Sequence, residues 1–212
     1  MNSIQNNITL ITVNQYIGNI NWYKTLFKFS HIKIDQYETY QKMSFRNRMV
    51  IVGSNGLINL TVPLENGRGQ KGLIKDVKID ITSNWANQHM RSILACYGKS
   101  PFFEYYRDSF FAIYLKPFVY LQDLNISLIT WVNRQLKYPG NISFTEQYHI
   151  DYPDGYVDLR NQIKPSQFQL VENQIKYVQV FEDRIGFQNN LCILDLLFCC
   201  GPNAKSILTN SK

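Results

Sequence analysis

The sequence predicts an α/β domain with a mainly parallel sheet, an attached β-hairpin and three to four covering helices. Three observations lead there. The first 35 residues read strand, turn, helix, strand, a βαβ order that favours a parallel pair. An Asn55-Gly56 dipeptide lies between two alternating apolar runs, the strongest short hairpin signal. Beyond Thr82 the apolar residues recur at helical spacing.

Residues 8–13, ITLITV, are β-branched and apolar, as in a buried strand. INWYKTLF follows as a helix, and residues 31–35, HIKID, alternate like a second strand. With Asn55 and Gly56 at the centre of a type I′ turn, Ser54 pairs with Leu57 and Arg48 with Pro63. Met49, Ile51, Ile58, Leu60, Val62 and Leu64 then share a core face. Arg48, Val50, Val52, Asn59, Thr61 and Pro63 share the other; Arg46 and Arg48 point away from the core face and Asn47 towards it. ENGRGQKG, residues 65–72, reads as a flexible loop, and IKDVKIDI, residues 74–81, alternates like another strand.

Ser83 or Asn84 caps a helix that runs to Tyr97 and stops at Gly98. Ser100-Pro101 opens a second helix. YLQDLNISLITWVNRQL is a third, with Leu121, Leu124, Leu128 and Trp131 in step. Residues 142–144 suit a short strand, and 151–166 a long polar loop. A final helical segment, residues 190–208, breaks at Gly201-Pro202. No domain boundary interrupts this order, so residues 1–212 read as one domain with flexible ends at 1–7 and 209–212.

Composition narrows the function classes. The 22 Lys and Arg against 16 Asp and Glu give a net charge of +6 and a pI near 9.1. A basic balance suits an anionic small molecule. The cations are scattered and no nucleic-acid-binding signature appears, so no nucleic-acid partner is expected. No apolar run approaches the roughly 18 residues of a membrane span. The four cysteines form no C-x-x-C pair and sit in apolar surroundings, which suits a reducing compartment. With no signal peptide visible, the reading is a cytoplasmic protein. No residue set points to a metal, and the cofactor is left open, as is the oligomeric state.

Arg46 and Arg48, at i and i+2 on an extended chain, read either as surface charge or as a clamp on one anion. His89 is the general-base candidate by residue type, yet it shares a stripe with Trp85 and Ile93, where a core histidine is the alternative. Ligands of open α/β sheets gather outside the carboxyl ends of the strands. That places Asp35, past the second strand, and Asn14, Gln15 and Tyr16, past the first, among the candidates. No G-x-S-x-G or H-E-x-x-H motif appears.

Several separated pieces together resemble the WbqC-like protein family, in the form common among Bacteroidetes. They are YQKMSFRNR, NGLINLTVPLENGRGQKGLIKDVKID, WANQHMRSILACYGKSPFFEYYRD, LQDLN and FEDRIGFQNNLCILDLLFCCGP, in this order. The resemblance spans about residues 8–208. It implies a role in O-antigen or other surface-polysaccharide biosynthesis, with transfer of glycine or a related acyl group to a sugar. It implies a basic and amide cluster at Arg46, Asn47 and Arg48, and a Trp, His, Arg set at Trp85, His89 and Arg91. The ligand implied is a nucleotide sugar or an activated acyl donor. The alternatives are a non-catalytic module that binds a nucleotide sugar or a partner enzyme, and an interaction protein with an aromatic docking surface. The chain departs from the pattern at Asn14-Gln15, where a proline-containing turn is usual, and at Met90, where Trp is usual.

Overall fold

The β-branched run at the start forms β1 (Gln5–Val13). Leu10, Ile11 and Val13 are all buried, as suits a central strand covered on both faces. The computed structural model describes residues 5–160, 165–170 and 174–210. After β1 comes α1 (Ile20–Leu26), capped by Asn19, whose Oδ1 accepts from the Trp22 N–H at 2.9 Å. The chain returns as β2 (Phe29–Asp35), parallel to β1, with Val13 level with Asp35.

The hairpin is β3 (Arg48–Gly53) and β4 (Gly56–Thr61). Its register lies two residues from the expected one: Arg48 pairs with Thr61 and Gly53 with Gly56, so Ser54 and Asn55 fill the turn. Gly56, at φ +119°, supplies the positive φ. An even shift leaves every side chain on its expected face. Met49, Ile51 and Leu60 enter the main core. On β3 the opposite face is buried as well, because Val50 and Val52 pack with Phe45 and Leu191 in a smaller cluster, whereas Asn59 and Thr61 on β4 are exposed.

Three long helices follow, α2 (Trp85–Tyr97), α3 (Phe103–Tyr114) and α4 (Leu121–Leu136). Their apolar stripes join the main core through Ile93, Phe110 and Leu128. The segment expected as a strand over 74–81 forms no ladder. It is a short 3₁₀ turn, Ile74–Asp76, followed by isolated bridges of Ile79 to Leu64 and of Lys78 to Tyr120. Its apolar alternation serves burial of Ile74, Val77 and Ile79 on an irregular path.

The sheet is completed by β5 (Asn141–Phe144), beside β2, and β6 (Tyr156–Asp158), beside β1. The order is β5-β2-β1-β6, and every pairing is parallel. The expected α/β class, parallel sheet and attached hairpin are all present. β6 lies inside the stretch expected as one long loop over 151–166, of which 161–164 are outside the described residues.

The chain closes with α5 (Glu182–Ile185), α6 (Ile193–Cys200) and α7 (Ala204–Asn210). The break between the last two falls at Gly201, φ +54°, where a Cβ would stand 2.4 Å from the Phe102 ring. Of the ends expected to be flexible, residues 1–4 and 211–212 lie outside the described residues. Residues 5–7 belong to β1 and 209–210 to α7. Among the described residues no helix is long and apolar enough to cross a membrane.

Candidate functional site

Strand order reverses at β1: β2 lies on one side, and β6, far later in the chain, on the other. In open parallel sheets such a switch point leaves a crevice outside the carboxyl ends of the strands. A cavity of about 670 Å³ lies there, lined by Val13 at the end of β1 and Gln15 after it, and by Leu159 and Arg160 after β6. Arg46, Arg48, Val50 and Asn59 close it from the hairpin side. Phe45 and Phe168, whose rings meet edge to face at 5.9 Å, form part of the apolar wall.

The arginines of this wall are not equivalent. Arg46 is 3% exposed and donates to both carboxylate oxygens of Glu38, Nε to Oε1 at 2.7 Å and Nη2 to Oε2. Burial pushes the Glu38 carboxyl above its ordinary range, against the pull of Arg46. Arg160 is more heavily engaged. Its guanidinium donates to Asp35 Oδ2 at 2.8 Å, to Asp158 Oδ2 at 2.6 Å and to the carbonyls of His149 and Ile150. Burial lowers the affinity of Arg160 for its proton, but hydrogen bonds and charge from Asp158 and Asp35 outweigh it. Asp158 is likewise pushed up by burial, yet the Arg160 contacts hold it below the usual carboxylate range.

Arg48 differs from both. It is half-buried, its Nε is buried without a hydrogen-bond partner, and no ion pair engages it among the described residues. Gln15 shares this condition: it is 1% exposed, and its Oε1 has no partner. The wall of one cavity thus holds a guanidinium with no ion pair among the described residues and a carboxamide whose oxygen is unpaired.

The other expected residues are placed as follows. Asp35, fully buried, accepts from Arg160, Thr145 Oγ1 and the Tyr37 N–H; it reaches the cavity only through Arg160. Asn14 is buried with both ends of its amide unpaired. Asn47 donates to the Val62 carbonyl at 2.8 Å and accepts from the Tyr40 hydroxyl at 2.9 Å, so it staples the hairpin. Tyr16 and His89 meet in a separate buried knot, Tyr16 Oη to His89 Nδ1 at 2.8 Å, with Tyr114 on the same hydroxyl. Trp85 stacks edge-on against His89. Burial lowers the imidazole to a pKa of about 4, against a backbone hydrogen bond at Thr61. Arg91 is exposed on α2.

Sequence reasoning singled out Gln15, Arg46 and Arg48, which share the cavity, but not Arg160, Phe45 or Phe168. The signal for Arg160 is the triplet Asp158-Leu159-Arg160 behind the three-residue β6. Pro153, Asp154 and Gly155 directly before it disguise that strand as loop.

The family model for the WbqC-like protein family matches residues 15–163. Gln15, Arg46, Arg48 and Arg160 all fall inside that span. No curated protein and no solved structure matches the chain. With about two thirds of its length matched, the chain belongs to the WbqC-like protein family.

Proposed function

We propose that the chain binds an anionic small molecule in the cavity at the carboxyl ends of β1 and β6. We further propose that it uses this ligand in a cytoplasmic transfer reaction of surface-polysaccharide biosynthesis. One observation carries the binding step: Arg48 reaches the cavity with its charge uncompensated. A guanidinium so held, in a partly dry wall, is satisfied by a carboxylate or phosphate oxygen pair. The transfer step rests on the role implied by the WbqC-like resemblance, with a nucleotide sugar or an activated acyl donor as ligand class. Asp35 and His89 act in this reading as positioning groups rather than as proton acceptors. Asp35 fixes Arg160, and His89 fixes Tyr16 beside the turn that carries Gln15.

A panel of nucleoside monophosphates, nucleotide sugars and carboxylate-bearing acyl compounds tests the binding step by thermal shift and calorimetry. At least one class is expected to raise the melting temperature. Arg48→Ala is expected to weaken that ligand by roughly 10- to 100-fold, the loss of a charge-assisted hydrogen bond. A panel that shifts nothing, or a variant that binds as well as the wild type, overturns the reading.

A second reading, a binding module without chemistry, is favoured by a different observation. Among the described residues lining the cavity there is no Asp, Glu, His or Cys. A ligand that binds through Arg48 but is recovered unchanged after incubation with candidate acceptor sugars would select it.

A further inference from the structure

Two polar groups in the cavity wall are buried without partners, and together they describe what the cavity takes. This inference rests on the proposed anion site and narrows its ligand. The turn after β1 is held firmly. The Tyr16 N–H donates to the Phe45 carbonyl at 2.9 Å, and Ile17, a β-branched residue, sits at φ +50°. That conformation is costly for such a side chain and persists only where its surroundings impose it. Gly18 has no room for a Cβ, which would stand 2.5 Å from the Trp22 ring. Gln15 therefore cannot relax easily toward water; its side chain stays in the cavity wall, with the unpaired Oε1 turned to Gly18, where an added Cβ would stand 3.0 Å from it.

Charge sets the second limit. The described lining residues include four cations, Lys42, Arg46, Arg48 and Arg160. Three carboxylates already answer two of them, Glu38 on Arg46, and Asp35 and Asp158 on Arg160. Lys42 and Arg48 are left without a carboxylate, and these described cations and carboxylates together carry a net charge of +1. A ligand with one or two negative charges balances it, whereas a polyphosphate brings excess negative charge against Glu38 and Asp35. Val13, Val50, Leu57 and Phe45 supply an apolar wall for the rest of the ligand.

We infer that the cavity takes a ligand with one anionic group on Arg48, one neutral polar group on the Gln15 carboxamide, and an apolar body between them. A carboxylate or a phosphate monoester of nucleoside-monophosphate size meets this description. Of the two donor classes, it favours a singly phosphorylated or carboxylate-bearing donor over a diphosphate sugar.

The test is a calorimetric titration of the full chain with uridine mono-, di- and triphosphate, and with N-acetyl-tyrosine as the carboxylate probe. The monophosphate or the carboxylate is expected to bind at least as tightly as the triphosphate, and the tighter of the two identifies the anion. Gln15→Leu is expected to weaken that probe roughly tenfold. The same change removes an unmet buried amide, so the melting temperature of the free protein is expected to rise by about 2–4 °C. A purely structural glutamine would give the opposite shift. Should Gln15→Leu fail to fold, Gln15→Met makes the same comparison. Affinity that climbs about tenfold with each added phosphate, or a Gln15 variant that binds like the wild type, overturns this inference and leaves the anion site standing. Absence of binding by every probe overturns both.

Discussion

His89 illustrates what burial does to a group that residue type marks as a general base. Its ring nests among Tyr16, Trp85 and Tyr114, and desolvation holds its pKa near 4 against an ordinary 6.5. Below pH 6.5 the unfolded chain takes up a proton that the folded chain refuses. The contribution of His89 is thus complete above pH 6.5 and lost as pH falls towards 4, on the order of 3 kcal/mol in all. Asp195 works the other way. Burial raises its carboxyl to about 6 from 3.8, against hydrogen bonds from Tyr177 and Tyr97, so folding gains from it as pH falls through 6. Urea denaturation of wild type and His89→Gln at pH 7, 5.5 and 4.5 separates the two. The variant is expected to lose less stability on acidification than the wild type, and parallel curves would refute the assignment. Arg46 and Arg48 show how far residue type alone reaches. Their i, i+2 spacing was legible as a possible anion clamp, but their different states were not. Glu38, the group that neutralises Arg46, lies in a turn that no periodic pattern marks.

The hairpin shows which part of element structure is local. Turn chemistry located the bend and alternation assigned the faces, yet the register came out two residues away, because Gly56 closes the turn rather than occupying its centre. The positive φ of Gly56 has open space around it, so Gly56→Ala is expected to cost only conformational strain, about 1–3 kcal/mol. Gly201→Ala adds a collision with the Phe102 ring and is expected to cost clearly more. Thermal melts of the two variants check this, and an equal or reversed order would contradict it. Residues 74–81 alternate as a strand does but find no ladder partner, whereas the weakly patterned Tyr156–Asp158 does. Period-2 alternation reports burial on one side; membership of a sheet needs a neighbour with free backbone groups.

At the scale of the molecule Arg160 ties the sheet's carboxyl edge together. It links Asp35 at the end of β2, Asp158 in β6 and the carbonyls at 149 and 150. Arg160→Met strands the fully buried Asp35 without its cation and is expected to cost about 3–5 kcal/mol. Asp35→Asn in that background is expected to restore part of it. Chemical denaturation of the single and double variants measures both, and simple additivity would argue against the pair. The sequence by itself determined the βαβ opening, the α/β class, the faces of the hairpin, the helix ends at Gly98 and Gly201, and membership of the WbqC-like family. All of these rest on periodicity, turn chemistry and motifs within short windows. Only the tertiary structure decided that β6 pairs with β1 and that Arg160 meets Asp35 across 125 positions. It also decided that Arg46 is neutralised while Arg48 is not, and that His89 is walled off from the cavity. Those outcomes depend on which groups burial brings together and which charges find partners, and desolvation and ion pairing act through space rather than along the chain.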